Sequence, residues 1–179
     1  MLEHFKNNPS VIGFTVEQIL ISTLACRGLN GNINLPPAKI IPFEGETTRL
    51  SVDEPLAYYV PLKFNKKAID VLFVDINRYA QSARLVAVQI TVAKRHKDSE
   101  VTFFAELKKW LPGLPNFKVD TSFLWIHEGE RGQSEVMEKL KVLRGGPVVF
   151  LPRHDTHWMS VEQIDVALAA TLRKIRQKT

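Results

Sequence analysis

The sequence predicts an α/β fold in which a central mixed sheet of about five strands is flanked by helices. Two observations support this prediction: apolar residues recur at helical spacing in some segments and at strand spacing in others, and the two kinds of segment follow one another along the chain. The 179 residues are 45% hydrophobic and 24% charged, which is typical of an ordinary globular domain. We therefore expect a single domain over residues 1–179.

The first helix is predicted over residues 9–27. The apolar residues that recur there at helical spacing are Val16, Leu20 and Leu24. Gly28 is a typical residue at the end of a helix. Two starts are compatible with the sequence: Thr15 and Gln18 form a capping-box pattern, whereas Pro9 would open the helix a turn earlier.

Three strands are predicted next, at residues 56–62, 68–75 and 85–93. A long connection at 30–54, rich in Asn, Pro, Gly and Thr, precedes them and contains a short candidate strand at 38–41. The segments between the three strands are too short for a crossover helix. The three strands should therefore be antiparallel neighbours.

The second half of the chain continues the alternation of helices and strands. The predicted elements are a helix at 99–111, a strand at 121–127, a modest helix at 134–143, a strand at 145–152 and a last helix at 161–176. Ser160 and Gln163 form a capping box at the start of the last helix.

Polar residues interrupt one face of the third predicted strand, "RLVAVQITVAKRH". Gln89 and Thr91 point together, away from the valines at alternate positions. If this strand pairs with the one before it so that Asp70 and Gln89 share a side, a carboxylate and an amide oxygen converge. Glu17 lies on the apolar stripe of the first helix, either as a helix-start acid or as a third oxygen donor to this point. Such oxygens are the ligands that Mg²⁺ prefers, so Glu17, Asp70 and Gln89 are candidate ligands of Mg²⁺ or Mn²⁺.

Three segments, "PSVIGFTVEQILI", "YYVPLKFNKKAIDVLF" and "LVAVQITVAKRHK", resemble the PD-(D/E)XK, restriction-endonuclease-like superfamily. They are most similar to the nuclease-like module of Crinkler effectors and retrotransposon hot spot proteins. The resemblance covers residues 9–128 and leaves 129–179 as a C-terminal extension. It implies a helix–βββ–helix–β core, a metal-dependent nuclease that acts on DNA, and a nuclear location, in the host nucleus for an effector.

Residue by residue, the resemblance implies that Glu17 is the helix acid, Asp70 the metal-binding aspartate and Gln89 the (E/Q) residue. Thr91 stands at the position of the catalytic lysine, which is a departure from the family pattern. Lys94 is long enough to reach back toward this position, and His96 is a candidate proton shuttle. Both are equally compatible with an exposed basic loop.

A basic surplus favours polyanionic partners, and the chain carries a net charge of +5. The residues that we expect to contact a DNA backbone are Lys94, Arg95, His96 and Lys97. A second basic cluster near the C-terminus, which includes Arg173 and Arg176, is also compatible with a solvated helix end.

Two other classes of function remain open. The first is a pseudonuclease, in which the same fold binds DNA or a protein without chemistry. The second is a protein-interaction or toxin module whose longer parent supplies an upstream ATPase, since the chain contains no P-loop motif. A metal site at His154 and His157 is a weaker alternative, because that stretch is predicted to be irregular. The sequence shows no apolar run of membrane-spanning length, so we expect no membrane segment.

Overall fold

The structure is a computed structural model that describes residues 8–62, 68–91, 99–129 and 152–177. Its strands are β1 (Lys39–Phe43), β2 (Leu56–Pro61), β3 (Val71–Asn77), β4 (Ser82–Thr91), β5 (Lys118–His127) and β6 (Asp155–Ser160). Its α-helices are α1 (Pro9–Arg27), α2 (Ser99–Glu106), α3 (Val161–Ile164) and α4 (Val166–Gln177).

The described strands form one six-stranded mixed sheet, in the spatial order β1-β2-β3-β4-β5-β6. Strand β3 is antiparallel to both of its neighbours, whereas β1–β2, β4–β5 and β5–β6 are parallel pairs. Helices cover both sides of the sheet. The predicted α/β fold with a central mixed sheet is therefore confirmed. Along the chain the described elements follow in the order α1, β1–β4, α2, β5, β6, α3 and α4.

The two faces of the sheet bury two separate cores. On the first face, which we call the α1 face, α1 and α4 cover the strand residues Val71, Phe73, Val86, Val88, Ile90, Leu124 and Ile126. On the opposite face, which we call the α2 face, α2 and the turns after it cover Leu72, Val74, Leu85, Ala87, Phe123 and Trp125. From Leu85 to Val88 strand β4 is thus apolar on both faces, as expected for a strand in the middle of a sheet that is covered on both sides.

Helix α1 begins at Pro9, and the side chain of Asn8 accepts a hydrogen bond from the Val11 amide at 3.3 Å. The earlier of the two predicted starts is therefore correct. The capping box at Thr15 is wrong, because that hydroxyl donates to the Val11 carbonyl within the helix. The predicted stop at Gly28 is confirmed: its φ is +71°, and an added Cβ would lie 2.5 Å from the Leu35 carbonyl oxygen.

Among the described residues, α1 has the length and apolar composition of a membrane-spanning helix. The expectation that no segment reaches this length was therefore wrong. The residues of α1 that are buried against the sheet are Val16, Leu20, Ile21, Leu24 and Ala25. These residues make up only part of the helix, since 22% of its apolar window is buried, so packing in the core accounts for part of its hydropathy.

The sequence missed strand β6. The stretch around His154 and His157, predicted to be irregular, forms this strand beside β5. Its alternation is hard to recognise because it lies at the edge of the described sheet, where five of its six residues are exposed or only partly buried. The helix predicted at 134–143 and the strand predicted at 145–152 lie outside the described residues, apart from Pro152.

Two predicted helices are shorter than expected. Helix α2 ends at Glu106 and continues as two 3-10 turns, Leu107–Lys109 and Leu111–Gly113. The last helix is divided at Asp165, whose side chain accepts a hydrogen bond from the Leu168 amide and so caps α4. The predicted capping box of Ser160 and Gln163 is present at the start of α3.

Candidate functional site

Asp70 and Gln89 meet where β3 begins and β4 nears its end. Continuing the register from Val71, which pairs with Val88, sets the two residues opposite each other. One carboxylate oxygen of Asp70, Oδ2, accepts a hydrogen bond from Gln89 Nε2 at 2.6 Å and another from the Ile90 amide at 2.6 Å. The Asp70 amide in turn donates to the Val88 carbonyl at 2.9 Å. The predicted approach of the acid and the amide is therefore present in the structure.

Glu17 interacts electrostatically with Asp70 of this pair. Burial raises the pKa of Asp70 well above its ordinary value, the negative charge of Glu17 raises it further, and the hydrogen bond from the Ile90 amide acts in the opposite direction. Burial also raises the pKa of Glu17, to about 7. Two carboxyl groups are thus held close together in a partly dehydrated place, which favours binding of either protons or a cation.

The face of the sheet from which Glu17 approaches Asp70 differs from the expected one. We expected the first helix to cover the face that carries Gln89, but α1 covers the opposite face, with Val88 and Ile90. Asp70 nevertheless interacts with Glu17 of α1 and with Gln89 of β4. Its carboxylate accepts the Ile90 N–H, and strand amides point within the plane of the sheet. The acid therefore lies at the boundary between the two faces.

The orientation of the Gln89 amide also differs from the prediction. Its nitrogen, rather than its oxygen, faces Asp70, and Oε1 is buried without a hydrogen-bond partner among the described residues. A half-turn about the Cγ–Cδ bond exchanges the two atoms of the amide. With Oε1 turned toward Asp70, Gln89 becomes an oxygen donor beside the two carboxylates.

Thr91 ends β4, on the same face as Gln89, and pairs with His127 at the end of β5. The remaining predicted site residues Lys94, Arg95, His96 and Lys97 lie outside the described residues. Asp75, the other aspartate on this part of the chain, lies within β3 and forms an ion pair of 3.8 Å with Arg84.

The donors around Asp70 fit a hard divalent cation. Two carboxylates and an amide oxygen are typical magnesium ligands, and Mg²⁺ commonly retains waters at its other positions. The described ranges contain no group of three or more His, Cys, Asp or Glu side chains placed to hold a metal. Any cation at this site therefore depends on the neutral Gln89 as its third protein ligand.

A second polar cluster, centred on Glu100 in α2, was missed in the sequence. Its carboxylate accepts hydrogen bonds from Trp125 Nε1 at 3.0 Å and Thr156 Oγ1 at 2.7 Å, and His154 Nε2 lies 2.7 Å away. The signal was present, because Glu100 precedes Phe103, Phe104 and Leu107 at helical spacing. We call these residues the Glu100 cluster.

The Glu100 cluster offers no open metal ligand. His154 Nδ1 lies 2.7 Å from the Pro152 carbonyl oxygen, so both ring nitrogens of His154 face oxygen atoms of the protein. The ring stacks on Phe104 with centroids 3.7 Å apart. The weaker alternative of a metal site at His154 is therefore not supported by the geometry.

His127 is the other polar side chain that the sequence did not assign to the site. It is 7% exposed, and its Nδ1 atom has no hydrogen-bond partner in the described part of the chain. Burial lowers its pKa, and a backbone hydrogen bond at Gly129 partly opposes that effect.

We compared the chain with family models, with curated proteins and with solved structures, and none of the three comparisons gave a match.

Proposed function

We propose that this domain is a metal-dependent nuclease-like domain that binds DNA and cleaves it at the site formed by Glu17, Asp70 and Gln89. The observation that carries the proposal is the meeting of Asp70 with Gln89, at 2.6 Å, beside the charge of Glu17. These three residues come from α1, from the position just before β3 and from β4. Burial of two carboxyl groups at one point is costly for stability, and such a cost is typical of functional sites.

In this proposal the chain holds a Mg²⁺ or Mn²⁺ ion through the carboxylates of Glu17 and Asp70 and through Gln89 Oε1. The bound cation would supply charge neutralisation for the phosphodiester and acidify a water molecule. The Ile90 amide fixes the Asp70 carboxylate through a bond of 2.6 Å. Basic residues at 94–97 would contact the DNA backbone.

The experiment is incubation of the purified chain with DNA and Mg²⁺ or Mn²⁺. We expect cleavage by the wild type and its loss, by at least about 10³-fold, in Asp70→Ala, because the variant lacks the central carboxylate. Asp75→Ala is the matched control, since Asp75 is a carboxylate of β3 that pairs with Arg84 instead. Intact DNA after prolonged incubation of the wild type with either metal would contradict the enzymatic proposal.

The alternative is a catalytically inactive pseudonuclease that binds DNA or a protein. Two observations favour it: the Gln89 nitrogen already hydrogen-bonds to Asp70, and Thr91 provides no cation at the position of the family lysine. A steep salt dependence of binding would identify DNA as the partner of such a module, because each neutralised phosphate releases counterions.

A further inference from the structure

Trp158 differs from the other two tryptophans of the chain in its exposure. The chain contains three tryptophans, of which Trp110 is 2% exposed and Trp125 is 1% exposed. Trp158 is only half-buried and lies in β6, at the edge of the described sheet. An indole ring in this position leaves apolar surface available for contact with a ligand.

The indole ring of Trp158 has one of its two faces occupied. Trp125 and Trp158 are paired residues of the parallel β5–β6 ladder, so both side chains rise from the α2 face. Their rings are stacked with centroids 5.4 Å apart and an interplanar angle of 6°. Because Trp125 lies on the β5 side, the second face of the Trp158 ring is directed away from β5, toward the edge of the described sheet.

Contacts with neighbouring side chains hold this ring in place. Trp125 Nε1 donates a hydrogen bond of 3.0 Å to the Glu100 carboxylate, which fixes the ring on which Trp158 stacks. The ring of His127 also lies beside Trp158, with centroids 6.3 Å apart and an interplanar angle of 54°. A side chain that is already fixed in its binding orientation loses little conformational entropy when a ligand stacks on it.

Trp158 lies in the same row of the sheet as the candidate metal site. Gln89 pairs with Trp125, Trp125 pairs with Trp158, and continuing the β3–β4 register sets Asp70 opposite Gln89. With about 4.8 Å between neighbouring strands, the Cα atoms of Asp70 and Trp158 are about 14 Å apart. Four stacked nucleotides, at about 3.4 Å each, have roughly this length.

We propose that the outer face of the Trp158 ring is a stacking platform for an unpaired base of single-stranded DNA. The inference rests on the DNA-binding part of the proposed function and deepens it by naming the form of DNA that binds. Every base has a π face, and proteins bind single strands by stacking bases on aromatic side chains. The net charge of +5 and the exposed Arg153, which precedes β6, complement a polyanion better than a neutral ligand.

The test measures, by fluorescence anisotropy, binding of the full chain to a labelled thymidine oligonucleotide of about ten nucleotides in metal-free buffer. We expect Kd to rise about 5- to 150-fold in Trp158→Ala, the range for loss of one base–aromatic stack. The slope of log Kd against log salt concentration should not change, because the variant removes no charge. Tyr79→Ala is the matched control: Tyr79 is a fully exposed aromatic residue in the turn between β3 and β4, and its loss should leave Kd unchanged.

Intrinsic fluorescence gives a second measurement that requires no variant. Trp110 and Trp125 are shielded from solvent, so a change of tryptophan fluorescence in the wild type on addition of DNA reports on Trp158. We expect quenching by the unlabelled single strand and little quenching by a duplex of the same length, because bases in a duplex are already stacked on one another.

The outcomes separate this inference from the proposed nuclease function. Equal Kd in the wild type and Trp158→Ala, or binding of the single strand without quenching, would overturn the platform and leave the nuclease proposal intact. Weaker binding by Trp158→Ala, together with intact DNA in the cleavage experiment, would support the platform and contradict the nuclease. If Trp158→Ala does not fold, quenching in the wild type decides. Absence of binding to the single strand, or equal quenching by the duplex, would also overturn the inference.

Discussion

The Glu17–Asp70–Gln89 site and the Glu100 cluster both bury carboxylates, but the surroundings of those carboxylates differ. The Glu100 carboxylate accepts hydrogen bonds from Trp125 of β5 and Thr156 of β6, and His154 lies beside it. At the other site burial raises the pKa of Glu17 and Asp70, and Gln89 Oε1 has no partner among the described residues. The comparison teaches that a buried acid surrounded by hydrogen-bond donors stabilises a fold, whereas two acids with raised pKa beside an amide oxygen without a partner are a candidate for binding.

The Glu100 cluster also links elements that are distant in the sequence. Glu100 lies in the first turn of α2, while Trp125 lies in β5 and Thr156 in β6. Trp125 stacks on Trp158 with centroids 5.4 Å apart and an interplanar angle of 6°. One side chain thus holds a helix against two strands. We expect this cluster to contribute to stability and not to chemistry.

The largest expected effect is on the Glu100 cluster. Glu100→Ala removes the common acceptor and leaves its donors buried without a partner, so the free energy of unfolding should fall by about 3–5 kcal/mol. Urea denaturation measures this change. Glu106→Ala in the same helix, whose carboxylate pairs with Lys109 at the surface, should cost less than about 1 kcal/mol. Equal losses in the two variants would remove the distinction between the sites.

The next effect is stabilisation by Mg²⁺. At pH 8 and a Mg²⁺ concentration of 100 times Kd, the wild type should gain about 2.7 kcal/mol, seen as a rise in Tm. Asp70→Asn should abolish this gain, because it removes a charged ligand, whereas Asp75→Asn should retain it. A Tm that does not respond to saturating Mg²⁺ or Mn²⁺ would favour the pseudonuclease.

The smallest effect is the pH dependence contributed by Glu17. Its pKa in the folded state is about 7, above the ordinary value of 4.5, so the folded state binds the proton more tightly than the unfolded state. The contribution of Glu17 to stability is therefore greatest below pH 4.5 and falls as the pH rises through 7. Allowing for solvent screening of this partly exposed group, we expect a loss of about 1–2 kcal/mol.

Glu17→Gln isolates this contribution. The difference in the free energy of unfolding between the variant and the wild type should grow as the pH rises from 4.5 to 8, since only the wild type loses stability through this group. Asp70 contributes with the same sign, because its pKa is also raised. A constant difference across this pH range would show that Glu17 is not buried beside Asp70 in solution.

Local patterns of the sequence determined much of the fold. The alternation in β3 and β4, the stripe of α1 and the stop at Gly28 are consequences of strand and helix periodicity and of a glycine that tolerates a positive φ. The same parity placed Asp70 and Gln89 opposite each other once their strands were paired. Trp110 and Trp125, which lie in segments with periodic apolar residues, are both buried.

Only the tertiary structure decided which buried polar groups have hydrogen-bond partners. Nothing in the spacing of Glu17 and Glu100, each on the apolar stripe of its helix, shows that one lies beside a second acid and the other beside Trp125, Thr156 and His154. Periodicity fixes the side on which a residue points, but its partners come from segments far along the chain. The edge strand β6, the face covered by α1 and the pairing of Thr91 with His127 depended on the same long-range packing.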